Sequence, residues 1–329
     1  MKIAVPFPEK LPDGYKWLSE EPIFDPLKHL SLQFPSEMFS LEDLGYNPEE
    51  IEDKATTFGI SEPFRILSAE GSEILLETAL RLKPFSKRAG NRIENAVRGG
   101  CYRSRWLKDL CTSQDVCKHM ALIYKTDISP HTMPVHLGHL NYQPTTLKDA
   151  VDKWHHDTIP LDYVMMVSDP RTLHGGGFEY FLGTKIEAEK LSKKGKTPPR
   201  ELIKSPVFPC PGYAVALHGN MVVHRGAPLT KPGERITMVN GYVSTNCLLD
   251  DQSRSRDLIG IDDPASLYTE WAKHTSWRTQ NRLKKIFDPM SFIKSPKQVL
   301  EKLESAAKDL LKTIDDMKAG PREAKHYEK

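Results

Sequence analysis

Residues Trp154–Ser168 read WHHDTIPLDYVMMVS, a polar cluster running straight into an apolar strand. In an extended chain the side chains alternate between faces. His155 and Asp157 then point one way and His156 the other, which leaves His156 a packing or solvent role outside any site the pair builds. Ligation by His156 and Asp157 as neighbours would need a bulge or turn. On either side lie further short apolar runs: MPVHLGHLNYQP (Met133–Pro144), FEYFL (Phe178–Leu182), YAVALHG (Tyr213–Gly219), MVVH (Met221–His224) and RITMVNGYVS (Arg235–Ser244). Many short strands with turn residues between them predict a β-sandwich or barrel.

A His-x-Asp pair supplies two ligands of a mononuclear metal site, and a third must come from another strand. His224 closes an apolar run and is followed eleven residues later by Arg235, with Thr237 sharing the face of Arg235. His218 is the rival third ligand, but it precedes a Gly-Asn turn and lacks that relation. Taken singly, each histidine is more often structural than ligating. The ordered set is more specific. Two imidazoles and one carboxylate form the facial triad that holds iron(II) and leaves positions open for other ligands. The metal stays net positive and suits an anionic co-substrate, whose far carboxylate Arg235 can grip with Thr237 in support.

These residues, with the Gly-rich strand start HGGGFEYF, the stretch PGYAVALHGNMVVHRG and GERIT, resemble the iron(II)/2-oxoglutarate-dependent oxygenases, in particular the phytanoyl-CoA-hydroxylase-like branch. The resemblance covers about His131 to Thr245. It implies a mainly β fold with flanking helices and a double-stranded β-helix (jelly-roll, cupin-like) core. It implies that His155, Asp157 and His224 bind Fe(II), that Arg235 pairs with the 2-oxoglutarate C5 carboxylate with Thr237 beside it, and that dioxygen is the oxidant. The reaction would then oxidise a C–H bond of a small molecule by hydroxylation, desaturation or ring closure, releasing succinate and carbon dioxide. Asp157 disfavours halogenation, which in this family goes with loss of the carboxylate ligand. The Arg-x-Ser/Thr pattern also occurs in isopenicillin-synthase-like enzymes, so an iron oxidase that uses no 2-oxoglutarate, with Arg235 on the substrate carboxylate, is the alternative. A non-catalytic β-barrel binding protein is the alternative of another class. A zinc hydrolase lacks a well-placed glutamate base.

Around the motif, Asn141 is expected to touch co-substrate or substrate, and Trp154 to wall the metal or simply to fill core. Gly175–Gly177 should form a turn or bulge that lets backbone approach closely. A phosphate loop is rejected there because no helix pattern follows. Arg103 and Arg105 could meet an anionic group, but surface salt bridges are the expected role. Lys185–Lys204, rich in lysine, reads as a solvated excursion rather than a lid.

The boundaries expected are a helical and loop flank over 1–118, the catalytic core over 119–250 and a helical extension over 251–329, all one structural domain. Ile74–Phe85 and Arg103–Tyr124 carry helical spacing. So does a C-terminal stripe (Val299, Leu300, Leu303, Ala307, Leu310, Leu311, Ile314, Met317), expected to pack on the β core; the tail Arg322–Lys329 is expected to fray. The net charge of +2, 39% hydrophobic and 27% charged residues argue for a soluble globular protein without a nucleic-acid or membrane partner. Five cysteines without CxxC spacing point to reduced thiols. Met1–Lys10 holds no apolar run long enough for a signal peptide. The expectation is cytoplasmic.

Overall fold

The computed structural model describes residues 3–147, 149–288, 295–323 and 325–328. Eight strands make the core: β1 (His139–Tyr142), β2 (Asp152–His155), β3 (Leu161–Met166), β4 (Phe178–Phe181), β5 (Ile203–Lys204), β6 (Tyr213–Leu217), β7 (His224–Gly226) and β8 (Ile236–Ser244). They alternate between two antiparallel sheets. The larger has the central order β6-β3-β8-β1, and the smaller the order β5-β4-β7-β2. That order, with the chain crossing from sheet to sheet at nearly every connection, is a double-stranded β-helix.

Parity decides what each strand contributes. In β8, Ile236, Met238 and Tyr242 enter a large apolar cluster with Leu140 and Tyr142 of β1 and Leu161, Tyr163 and Met165 of β3. Helices α1 (Ala69–Leu82), α2 (Arg105–Cys111) and α3 (Gln114–Tyr124) cover that face through Leu75, Leu82, Leu107, Leu110, Met120 and Ile123. Each helix starts at a serine whose hydroxyl accepts a first-turn N–H: Ser68, Ser104 and Ser113. The alternate residues, His139 and Asn141 of β1, Val164 of β3, and Thr237 and Val239 of β8, line the space between the sheets.

Several expectations are corrected. The N-terminal flank supplies strands as well as helices. Phe58–Ser61 and Phe64–Arg65 pair with β6, and Ile93–Val97 pairs with β1, widening the larger sheet. The boundary expected at 118 falls inside α3. Met133–Pro144 is not one strand: Pro134–His136 forms a 3-10 turn, and Gly138 at φ +59° breaks the chain before β1. The Lys185–Lys204 excursion contains α4 (Lys185–Lys193), begun by a Thr184–Glu187 capping box, and ends in β5.

The C-terminal helices are α5 (Pro264–Phe287) and α6 (Pro296–Ala319). Leu267 and Trp271 of α5 pack with Met133, Val135 and Leu258. Of the apolar stripe of α6, Met317 packs against that cluster, but the rest does not reach the β core. α6 lies on α5 through Thr313 against Thr275 and Asp309 against Arg282, and Leu300, Leu303, Leu310, Leu311 and Ile314 stay exposed. Nor is the whole tail frayed. Tyr327 is buried, its N–H donates to the Trp154 carbonyl at 2.7 Å, and His326 bridges to His155 at the edge of the smaller sheet. Residues 324 and 329 of that tail lie outside the described residues. No described helix is long and apolar enough to cross a membrane.

Candidate metal centre

β2 and β7 are neighbours in the smaller sheet, and their register sets His155 directly opposite His224. The ring centroids are 4.2 Å apart. Beyond the end of β2 the chain is held by bonds from Asp157 N–H to the Gly219 carbonyl (2.7 Å) and from Arg254 Nη2 (2.8 Å) and Asn220 Nδ2 (3.0 Å) to the Asp157 carbonyl. Gly219 permits this approach, because a Cβ there would lie 2.1 Å from Asp162 Oδ2 and 3.1 Å from Asp157 Cβ. The Asp157 carboxylate then stands between the imidazoles, 3.3 Å from His155 Nε2 and 3.3 Å from His224 Nε2. One ligand atom from each residue falls within 4.8 Å of the others, the one such metal-binding group among the described residues.

The chemistry of the donors fits a dication. His155 Nδ1 bonds the Lys153 carbonyl at 2.6 Å and His224 Nδ1 the Val222 carbonyl at 3.1 Å. A carbonyl only accepts, so each Nδ1 carries the proton and each Nε2 offers a lone pair toward Asp157. Burial pushes His155 down to about 3, aided by the nearby Arg92 guanidinium, and burial also lowers His224. Both imidazoles are therefore neutral ligands at pH 7. Burial alone would raise the Asp157 carboxyl, but His224 and His155 in their protonated forms, with Arg92, outweigh it and hold the group well below the ordinary carboxylate range. Beneath it, Asp162 is fully buried. Burial and the Asp157 charge raise its carboxyl well above normal, so it stands neutral with a proton to share.

Arg235 lies on the wall of the same cavity, 3% exposed. Its Nε donates to the Gly176 carbonyl at 2.8 Å and its Nη1 to Thr237 Oγ1 at 3.1 Å. Burial lowers it to about 10, so it remains charged at pH 7. The glycine run explains the Gly176 contact. Gly175 and Gly176 adopt φ of +81° and +71°, and a Cβ on Gly175 would meet the Pro228 carbonyl at 2.5 Å. Asn141 pairs in register with Thr237, and its buried Oδ1 has no partner among the described residues.

The other expected residues sort as follows. His156 points away from the triad, with Nε2 at 2.7 Å from Arg254 Nη1 and Nδ1 at 2.6 Å from the Tyr327 hydroxyl. His218 is buried outside the ligand group, bonded to Gln252 Oε1 and the Phe58 carbonyl. Trp154 fills core with Phe181, Val223 and Tyr327 rather than walling the metal. Among the described residues Arg103 and Arg105 form no salt bridge. They lie over Tyr15 and Phe85 and over Trp17 respectively, away from the cavity.

Polar residues of the cavity wall to which the sequence reading gave no role include Arg92, Arg98, His136, His139, Asp152, Arg225 and Asp257. Arg92 Nε meets Asp152 Oδ1 at 2.8 Å, and its Nη2 approaches Asp157 Oδ1 at 3.9 Å. Burial raises Asp152 to about 7 against the pull of Arg92, and a dication on the adjacent triad would favour its charged form. Arg98 and His139 come together because Ile93–Val97 pairs with β1. The periodicity of neither segment announces that pairing.

No model of a known protein family matches the chain, and no curated protein matches it. Among solved structures, it is similar to AviO1 from Streptomyces viridochromogenes Tue57, at 16% identity over 64% of this chain and 97% of that one, with a TM-score of 0.44. It is similar to HygX from Streptomyces hygroscopicus with nickel and 2-oxoglutarate bound, at 14% identity over 63% and 88%, with a TM-score of 0.42. EctD from S. alaskensis with 2-oxoglutarate and 5-hydroxyectoine matches at 14% identity over 70% and 86%, with a TM-score of 0.41. Likeness at these scores carries no argument about chemistry, which rests on this chain's own geometry.

Proposed function

We propose that this protein is an iron(II)- and 2-oxoglutarate-dependent oxygenase of the phytanoyl-CoA-hydroxylase-like branch, oxidising a C–H bond of a small molecule. The observation that carries the reading is the pairing of two features on one cavity wall. His155, Asp157 and His224 converge with both Nε2 atoms on the carboxylate, and a buried charged arginine waits beside them with donors to spare. A zinc hydrolase has no use for the second feature.

Iron(II) with 2-oxoglutarate and dioxygen would supply the oxidising power there, with succinate and carbon dioxide released. The protein does the rest. The two imidazoles of β2 and β7, with Asp157 just beyond the end of β2, would hold the metal. Arg235 takes the C5 carboxylate through its free N–H groups, and Thr237 and Gly176 fix the guanidinium plane so that little rotamer entropy is lost on binding. Asn141, one strand over from Thr237, turns its carboxamide toward the same ligand. Phe178, stacked on His224 with centroids 5.3 Å apart, keeps water off that imidazole. Val164, Val239 and Ile159 add apolar surface to the wall, which strengthens the charged contacts inside.

The test is anaerobic addition of iron(II) and then 2-oxoglutarate, followed by visible spectroscopy. A weak metal-to-ligand charge-transfer band is expected. Iron bound without that band would favour the oxidase that takes its substrate carboxylate on Arg235.

A further inference from the structure

Resting on that reading, we infer that the substrate is electrically neutral and presents a carbonyl-type oxygen to Arg98 and His139, with an apolar body against Ala89, Ile93, Leu258 and Ile261. The argument is one of charge balance in a buried space. Among the charged residues lining the cavity, Arg92 is matched by Asp152 at 2.8 Å, Arg98 by Asp262 at 2.7 Å, Arg225 by Glu179 at 2.7 Å and Asp257 by Arg322 at 2.7 Å. Arg235 and Asp157 remain. A metal dication and a co-substrate dianion balance them, which leaves no net charge for a substrate to answer. A carboxylate or ammonium brought in would be buried uncompensated, and buried charges are tolerated only when paired.

The cavity does ask for hydrogen bonds. Arg98 spends Nε on Asp262 and sets Nη1 3.5 Å from His139 Nδ1. Guanidinium only donates, so His139 Nδ1 accepts and its Nε2 carries the proton. Arg98 Nη2 and His139 Nε2 are both buried without a partner among the described residues. Burial and the nearby Arg98 charge press His139 well below its ordinary value, which keeps it in this neutral form. Two unmet buried donors each carry a desolvation cost until something accepts from them. A carbonyl oxygen accepts from donors of this kind without bringing charge into the cavity. Ala89 and Ile93 form a small apolar cluster with Ile261, and Leu258 completes that side of the cavity.

The test uses isovaleramide and isovalerate, which share shape and differ in charge, with isoamylamine as the cationic control. Zinc(II) replaces iron so that the loaded protein is diamagnetic, and binding is read by saturation-transfer NMR and calorimetry. Zinc and 2-oxoglutarate binding are measured first; their failure would remove the proposed function itself, whatever the probes do. With both bound, isovaleramide should bind about tenfold or more tighter than isovalerate, the factor that a cost of about 1.4 kcal/mol for the unpaired charge gives. Isoamylamine should bind no better than isovalerate. His139→Phe, and the charge-neutral pair Arg98→Met with Asp262→Asn, should each erase most of the amide preference while zinc and 2-oxoglutarate affinity hold. Equal or tighter binding of the carboxylate or the amine, no amide binding at millimolar concentration, or an amide preference untouched by both variants would each overturn the inference.

Discussion

Replacing Arg235 with alanine separates the two halves of the proposed site. The side chain is almost fully buried and still cationic at pH 7. Two of its N–H groups are committed, one to Gly176 and one to Thr237, which leaves a hydrogen on Nη1 and both on Nη2 for a ligand. Nη2 has room because Gly226 has no side chain; a Cβ there would stand 3.4 Å from it. A bidentate carboxylate grip in so dry a place is worth about 2–5 kcal/mol on truncation, so the dissociation constant for 2-oxoglutarate should rise by about 30-fold to several thousandfold. The metal should be indifferent, since no contact joins Arg235 to His155, Asp157 or His224 among the described residues. The assay is anaerobic titration of the charge-transfer band with 2-oxoglutarate, beside calorimetry with iron(II) alone. Arg235→Lys keeps the charge and loses the fork, and should fall between wild type and alanine. Unchanged co-substrate affinity in Arg235→Ala would refute the clamp. Loss of iron binding would refute the claim that clamp and triad are independent.

Asp157→Ala should abolish tight metal binding by calorimetry and leave fold-sensitive circular dichroism intact, because it removes the carboxylate whose two oxygens face the two imidazoles; retained affinity would show that another residue ligates. Gly176→Ala forces an L side chain into φ +71° with its Cβ 2.8 Å from Leu229 Cδ2, displacing the carbonyl that fixes Arg235, so 2-oxoglutarate affinity should fall with iron affinity unchanged. Glu270 is buried, with both oxygens accepting, from the Tyr102 hydroxyl and the Val135 N–H, yet burial outweighs those bonds and lifts its carboxyl from 4.5 to about 7. A raised folded value means the stabilisation is complete below pH 4.5 and is lost as pH rises toward 7, by about 3 kcal/mol. Urea unfolding of wild type should show that decline and Glu270→Gln should not; parallel pH profiles would rule out the assignment. Tyr327→Ala should cost about 3–5 kcal/mol in the same assay, as loss of a buried aromatic does, whereas a frayed tail would cost nothing.

What could be read in the sequence was whatever a strand's alternation encodes locally. His155 and Asp157 sit two apart on one face, Arg235 and Thr237 do the same, and the punctuated apolar runs give most of the core but not β5, which lies in the stretch read as a solvated excursion. What could not be read depended on partners far along the chain. Ile93–Val97 carries Glu94 and Asn95 in its middle and shows no clean alternation, because it is specified by pairing with β1 rather than by a buried face of its own. Yet that pairing sets Arg98 beside His139. Tyr327 looks like any residue of a charged tail, and only its proximity to His156 gives it a place. The α6 stripe misled for the opposite reason. Its period is helical, but period alone does not name the surface a helix meets, and α6 meets α5 through Ala306, Asp309 and Thr313 while the leucines face out. Each exposed leucine forgoes about 1.5–3 kcal/mol of burial. The proposed ligand set therefore shows in short-range spacing, while the wall proposed to meet the substrate is assembled from Ile93–Arg98, β1 and the segment before α5. No one of these carries the pattern alone. Reaction class and substrate class are thus written at different ranges of the chain, the first within a few residues and the second only in the sheet register.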